Sequence, residues 1–142
     1  MTDHDRLFKE LLSTFFLEFV ELFLPDAAAF LERNSLTFLD KELFTDVTSG
    51  ERYEADLVVR AQFQGEISCF LIHVEHQAQP QKDFGQRMFR YFARLSEQYG
   101  LPVYPVVLFS YDSPKQAAAQ QHRVEFPGWV VLEFNYRVIQ LN

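Results

Sequence analysis

The chain of 142 residues has a single cysteine, only 13 Lys and Arg against 20 Asp and Glu, and a formal charge of −7. It also lacks any apolar run approaching the ~20 residues that span a bilayer. With one cysteine, neither an internal disulfide nor a cysteine-based zinc site can form. Inside an apolar run, Cys69 reads as a small core residue in a reducing compartment. Affinity for nucleic acid usually comes from Lys and Arg displacing counterions along the phosphates, so an acidic chain that touches DNA needs a local basic surface or a bound cation. No basic start leads into an apolar stretch and a small-residue cleavage site. The expectation is a soluble, cytoplasmic protein with no membrane partner.

Aromatic residues are abundant: sixteen Phe, six Tyr and one Trp, in a chain that is 48% apolar. Such a chain is long enough for one packed core and short for two, which predicts a single domain over residues 1–142. From Thr2 to Leu24, Leu7, Phe8, Leu11, Leu12, Phe15, Phe19, Leu22 and Phe23 recur at steps of three and four, predicting a helix that Pro25 stops. A short helical turn and a short strand near Leu36 to Leu39 follow. "EADLVVRAQF", "ISCFLIHVE", "VYPVVLFS" and "WVVLEFNY" are rich in β-branched and aromatic residues and read as strands, the first two joined as a hairpin through "QGE". "QKDFGQRMFRYFARLSEQYG" places Phe84, Met88, Tyr91, Phe92, Leu95 and Tyr99 on one helical face and ends at Gly100 and Pro102. A helix between two buried strands predicts a parallel pairing of those strands. "DSPKQAAAQQHRVEFPG" is polar, with two prolines, and reads as a surface loop.

The stretch "FLIHVEHQ", residues 70–77, carries four metal-capable side chains where an apolar strand leaves the core. Alternation puts His73, Glu75 and Gln77 on one face and Ile72, Val74 and His76 on the other. If the hairpin turns at Gly65 and Glu66, Asp56 falls opposite Glu75, Leu57 opposite Val74, Val59 opposite Ile72 and Ala61 opposite Phe70. The apolar residues then share a face, as a correct register requires. Two carboxylates opposed in this way repel unless one is protonated or a cation lies between them. Carboxylate oxygens, with the Gln77 amide oxygen or a neighbouring backbone carbonyl, suit a hard ion such as Mg²⁺ or Mn²⁺. A hydrogen-bonded, partly buried His73 is the simpler reading of that residue, and His76 points away from a site on the Glu75 face. Alone, Asp56 is more often a strand-entry cap or turn residue than a ligand, and Gln77 reads also as a strand-end hydrogen bonder.

Asp56 in "EADLV", Glu75-His76-Gln77 in "IHVEHQ", the helix "RMFRYFARL" and the strand "VYPVVLFSYD" together resemble the PD-(D/E)XK nuclease superfamily. More closely they resemble its recombination-promoting nuclease and putative transposase families. "HDRLFKELL", with Asp5, Phe8 and Lys9, is similar to the opening helix of those families, and the resemblance covers roughly residues 3 to 112. It implies an α/β fold with a restriction-endonuclease-like αβββαβ core, a mixed sheet flanked by helices, and metal-dependent DNA endonuclease activity. By the same resemblance Asp56 and Glu75 are metal ligands, Glu10 of the first helix is a further candidate ligand, and Mg²⁺ or Mn²⁺ is the cofactor. Gln77 stands where the superfamily's usual motif has Lys; it can position water or phosphate only by hydrogen bonding or through its carbonyl oxygen.

Lys9, Arg87, Arg90 and Arg94, with Lys82, form the local basic surface for DNA. The competing readings are a solvated helix face with salt bridges and, for Lys9, an ion pair with Asp5 one turn before it. Tyr111 and Asp112, ending a strand, frame a cleft or simply begin a turn. The partner expected is DNA, and pairing as a homodimer is left open. Net acidity, and the C-terminal continuation common in these families, favour an alternative: a shortened, catalytically silent copy that keeps the fold as a binding or oligomerisation module.

Overall fold

The computed structural model describes residues 3–39, 43–45, 52–77, 82–110 and 121–141. The N-terminal helical run divides into α1 (Asp3–Thr14) and α2 (Phe16–Phe23). The Thr14 hydroxyl donates to the Glu10 carbonyl at 2.8 Å, a back-bond of the kind that bends helices, one residue before the break at Phe15. Pro25 does end α2, and it also opens α3 (Pro25–Phe30), because a first-turn position loses nothing by lacking an N–H.

β1 (Thr37–Phe38) lies where the short strand was expected, and the small hairpin of β2 (Leu43–Thr45) and β3 (Arg52–Glu54) was not anticipated. β4 (Leu57–Gln62) and β5 (Cys69–Gln77) form the predicted hairpin, with Gly65 supplying the positive φ of 76° in its turn. The helix α4 (Phe84–Tyr99) ends at Gly100 in the left-handed conformation and leads to β6 (Val103–Phe109), which runs parallel to β5.

One expectation is corrected near the C-terminus. The segment read as a surface loop contains β7 (Gln121–Phe126), and its residues 112–120, with Asp112, lie outside the described residues, as does Tyr111 before it. "WVVLEFNY" is the strand it was expected to be, β8 (Trp129–Asn135), and pairs with β7 as a separate hairpin; β9 (Arg137–Gln140), which was not anticipated, lies beside β6. Hairpin formation wins here because Pro127-Gly128 folds the chain back at once, with Gly128 at a φ of 76°.

The main sheet has the order β1-β4-β5-β6-β9, antiparallel from β1 to β5 and parallel from β5 to β9. This is a mixed α/β sheet with helices on both faces. Leu12, Phe16, Phe19 and Val20 pack with Val59, Phe70, Ile72, Val74, Val106 and Leu108 on one side. On the other, Tyr91 and Leu95 meet Val58 and Leu71, and Phe84 and Met88 meet Val107, Phe109 and Phe134. The α4 stripe packs as its spacing predicts. The α1–α2 stripe does so only in part: Leu12 and Phe19 are buried and Phe8 packs against them, but Leu7, Leu11, Phe15, Leu22 and Phe23 are exposed, and Phe16 and Val20 join the core instead. The break at Phe15 interrupts the three-and-four spacing, and α2, mostly apolar as FLEFVELF, offers more than one stripe.

Candidate functional site

The observed β4–β5 ladder pairs Leu57 with Val74, Val58 with His73, Val59 with Ile72 and Ala61 with Phe70, the register expected from the apolar pattern. Continued one pair further, it sets Asp56 opposite Glu75. Their hydrogen bonds are reciprocal across the strand end. The Asp56 N–H donates to Glu75 Oε2 at 2.6 Å, and the His76 N–H donates to Asp56 Oδ2 at 2.8 Å. Each carboxylate thus satisfies a backbone donor on the opposite strand.

Their surroundings differ. Glu75 is only 1% exposed on the α4 side of the sheet, beside the fully buried His73. Asp56 is half-buried at the sheet's end and lines a narrow cavity with Phe8, Lys9, Leu12, Leu57, Val74 and His76, which belongs to the α1 side. Burial and, next, the charge of Glu75 push the Asp56 carboxyl up from 3.8 to about 7, against the His76 N–H, Lys9 and His73, which favour its ionised form.

His73 departs from the expectation of a hydrogen-bonded, partly buried ring. Its side chain is fully buried, and neither ring nitrogen has a hydrogen-bond partner. Nε2 does lie 3.3 Å from Glu75 Oε2, near enough for an ion pair if the ring is protonated but without hydrogen-bond alignment. The Tyr91 ring lies with its centroid 5.0 Å from that of His73. His76 points to the other face, as alternation requires, where it stacks on Phe8 at 4.1 Å and its Nε2 lies 2.6 Å from Ser110 Oγ.

Arg87 is half-buried; it donates to the Tyr91 hydroxyl at 3.2 Å, with its guanidinium 5.7 Å from the centre of the same ring. Burial first, and Glu75 second, push Tyr91 up to about 12, and Arg87 lies within the fields of both Glu75 and Asp56. Arg90, Arg94 and Lys82 are exposed.

Of the residues singled out from the sequence, the fold therefore brings Asp56, Glu75 and His73 together, with Lys9 near from α1 and Arg87 from α4. Glu10 is exposed and does not line the Asp56 cavity; its neighbour Lys9 does. Gln77 is half-buried at the end of β5, and its carbonyl accepts from the Ser110 N–H at 3.1 Å. Cys69 is half-buried at the start of β5, outside the core where it was expected. Sequence reading missed Tyr91 as a polar partner, since its place in the apolar stripe hid its hydroxyl; a buried tyrosine ordinarily needs such a partner.

Among the described residues, no three or more His, Cys, Asp or Glu side chains form a group arranged to hold a metal. Among the same residues, no helix is long and apolar enough to cross a membrane. The chain matches no protein-family model, no curated protein and no solved structure at a significant level.

Proposed function

We propose that the chain is a metal-dependent DNA endonuclease of the PD-(D/E)XK kind, hydrolysing phosphodiester bonds and associated with recombination or transposon-like elements. The observation that carries this reading is the mutual position of Asp56 and Glu75, two acids locked across a strand end, where the charge of Glu75 adds to burial in pushing the Asp56 carboxyl up. Asp56 and Glu75 are tied to one strand end through backbone N–H groups opposite them, and their oxygens are the donors that would hold a divalent ion. When bound, a divalent ion supplies water activation and neutralises charge at a scissile phosphate. In this reading Asp56 and Glu75 hold the ion and the Gln77 amide positions water or phosphate. Arg87, already oriented by Tyr91, draws the DNA backbone toward the pair, with Arg90 and Arg94 extending the basic surface along the same helix.

The second reading, a catalytically silent module, is favoured by one specific observation: Glu75 is 1% exposed, closed in beneath α4. Plasmid nicking separates the two. Supercoiled DNA is incubated with wild type, Asp56→Ala and Glu75→Ala in Mg²⁺ or Mn²⁺. The nuclease reading expects nicked circles from wild type alone. Equal nicking by all three, or none by a folded wild type, rejects it.

A further inference from the structure

Among the described residues, most of the exposed large apolar side chains gather in two places. One is the outer side of the N-terminal helices. Leu7, Leu11 and Phe15 recur at steps of four along α1 and the break after it, and Leu22 and Phe23 follow on α2, at 57, 61, 52, 73 and 41% exposure. Hydrogen bonds of helical spacing bridge the break, from the Phe15 N–H to the Leu11 carbonyl at 3.1 Å and from the Phe19 N–H to the Phe15 carbonyl at 2.9 Å, so α2 continues the course of α1 after a bend. Leu12, Phe16, Phe19 and Val20 pack on the sheet, and the exposed residues form a row that the sheet leaves open. The other place is the β7–β8 hairpin around Trp129. There Arg123, Glu125 and Glu133 interleave with the apolar residues and pair among themselves at 3.8 Å, and a register shift between Val124 and Glu125 breaks the surface.

At about 200 Å² for a fully exposed side chain, the five helical residues present roughly 600 Å². Soluble monomers rarely leave an apolar patch of more than a few hundred Å² uncovered. Doubled across a two-fold axis, this one gives roughly 1,200 Å², enough for a specific interface before any polar rim is added. A two-fold pairing needs a surface that matches itself, and a row of Leu and Phe does so. We propose that Leu7, Leu11, Phe15 and Leu22 form the interface of a homodimer in which the α1–α2 runs of two copies lie antiparallel. Charge sets the direction. Parallel pairing would face the exposed Glu18, between Phe15 and Leu22, with the partner's own Glu18, whereas antiparallel pairing sets it beside the partner's Leu11. Arg6 immediately precedes Leu7 and Glu21 immediately precedes Leu22, so both lie on the same flank of the row, and antiparallel pairing brings each Arg6 beside the partner's Glu21. Arg33 already contacts Glu21 at 3.4 Å, and Glu10 adds an acid to the same flank, so apolar burial drives the pairing and charge only orients it. The helix α4 lies across the sheet from this row, and the inference is independent of the nuclease reading.

Sedimentation equilibrium of the full chain between about 1 and 100 μM, a range suited to an interface of this size, should show monomer and dimer in exchange. Combining Leu11→Glu with Leu22→Glu should raise the dissociation constant about 30-fold or more, with the circular dichroism spectrum unchanged because both side chains are exposed in the single chain. Trp129→Ala, on the hairpin, should leave the constant as it is. Cysteine cross-linking reads the direction: a mixture of Leu7→Cys and Leu22→Cys chains should form a disulfide between the two variants, located by peptide mapping, and neither variant should bridge to itself at that position. The cross-link also decides the matter if the glutamate variant does not fold. A wild type that stays monomeric at about 100 μM overturns the proposal. So does a dimer that keeps its dissociation constant in the glutamate variant, a dimer lost in Trp129→Ala, or a cysteine variant that bridges to itself through position 7 or 22.

Discussion

Because burial and Glu75 hold the Asp56 carboxyl at about 7 in the fold, against 3.8 for a free side chain, the native protein takes up a proton that the unfolded chain has lost. Between those two values stability falls as pH rises. The contribution is fully favourable below about 3.8 and is lost above about 7. At 1.36 kcal/mol per unit the swing is at most about 4 kcal/mol. Asp56→Asn keeps an oxygen for the His76 N–H but cannot ionise, so its melting temperature should exceed that of wild type at pH 8 and approach it at pH 4. Thermal melts of the two proteins across that range check this; a constant difference would mean that Asp56 is not the titrating group. A divalent ion competes with that proton. Under the proposed function, metal affinity rises with pH up to about 7, and calorimetry at pH 6 in buffers of different ionisation enthalpy should detect release of roughly one proton. Binding without proton release would place the ion elsewhere.

The helix α4 ties the candidate site to the core through Met88 and Leu95, each 0% exposed. Leu95→Ala should cost about 2–5 kcal/mol in a denaturant titration. The β7–β8 hairpin depends on a different detail. A Cβ on Gly85 would lie 3.3 Å from both the Gln121 carbonyl oxygen and His122 Cβ, so the hairpin approaches α4 through the space that this glycine leaves. Gly85→Val should loosen β7 and β8 while sparing the β4–β5 hairpin, read as faster amide exchange in the first pair alone. The far end of the hairpin is solvent-facing: Trp129, the chain's single tryptophan, is 65% exposed and stacks on Phe126. Its fluorescence should be red-shifted and acrylamide-quenched already in the native state, and Trp129→Ala should shift stability by no more than about 0.5 kcal/mol.

A charge of −7 opposes DNA overall, and under the proposed function the arginines of α4 supply part of the local basic surface. Arg90 and Arg94 are exposed, and replacing both by Gln should weaken DNA binding across all sequences and lower the slope of log K against log salt by about 0.9 for each phosphate that is no longer neutralised. Filter binding at several salt concentrations measures it; an unchanged slope would leave the two arginines as a solvated helix face.

The sequence by itself determined the hairpin register, because shifting one residue would have turned Leu57, Val59 and Ala61 away from the core, and that register set Asp56 opposite Glu75. It also determined the buried stripe of α4, whose apolar residues occupy one face with polar ones around them. Alternation along β5 likewise separated His76 from the Glu75 face. Three matters were left to tertiary packing. Which apolar residues of the α1–α2 run meet the sheet depends on the break at Phe15, which interrupts the spacing read from one continuous helix. The strand that completes the sheet is β9 and not β8, because β8 finds its partner locally in β7. The enclosure of His73 and Glu75 beneath α4 is a matter of how a helix settles over strand residues far from it in sequence, and neither periodicity nor spacing along the chain encodes that distance.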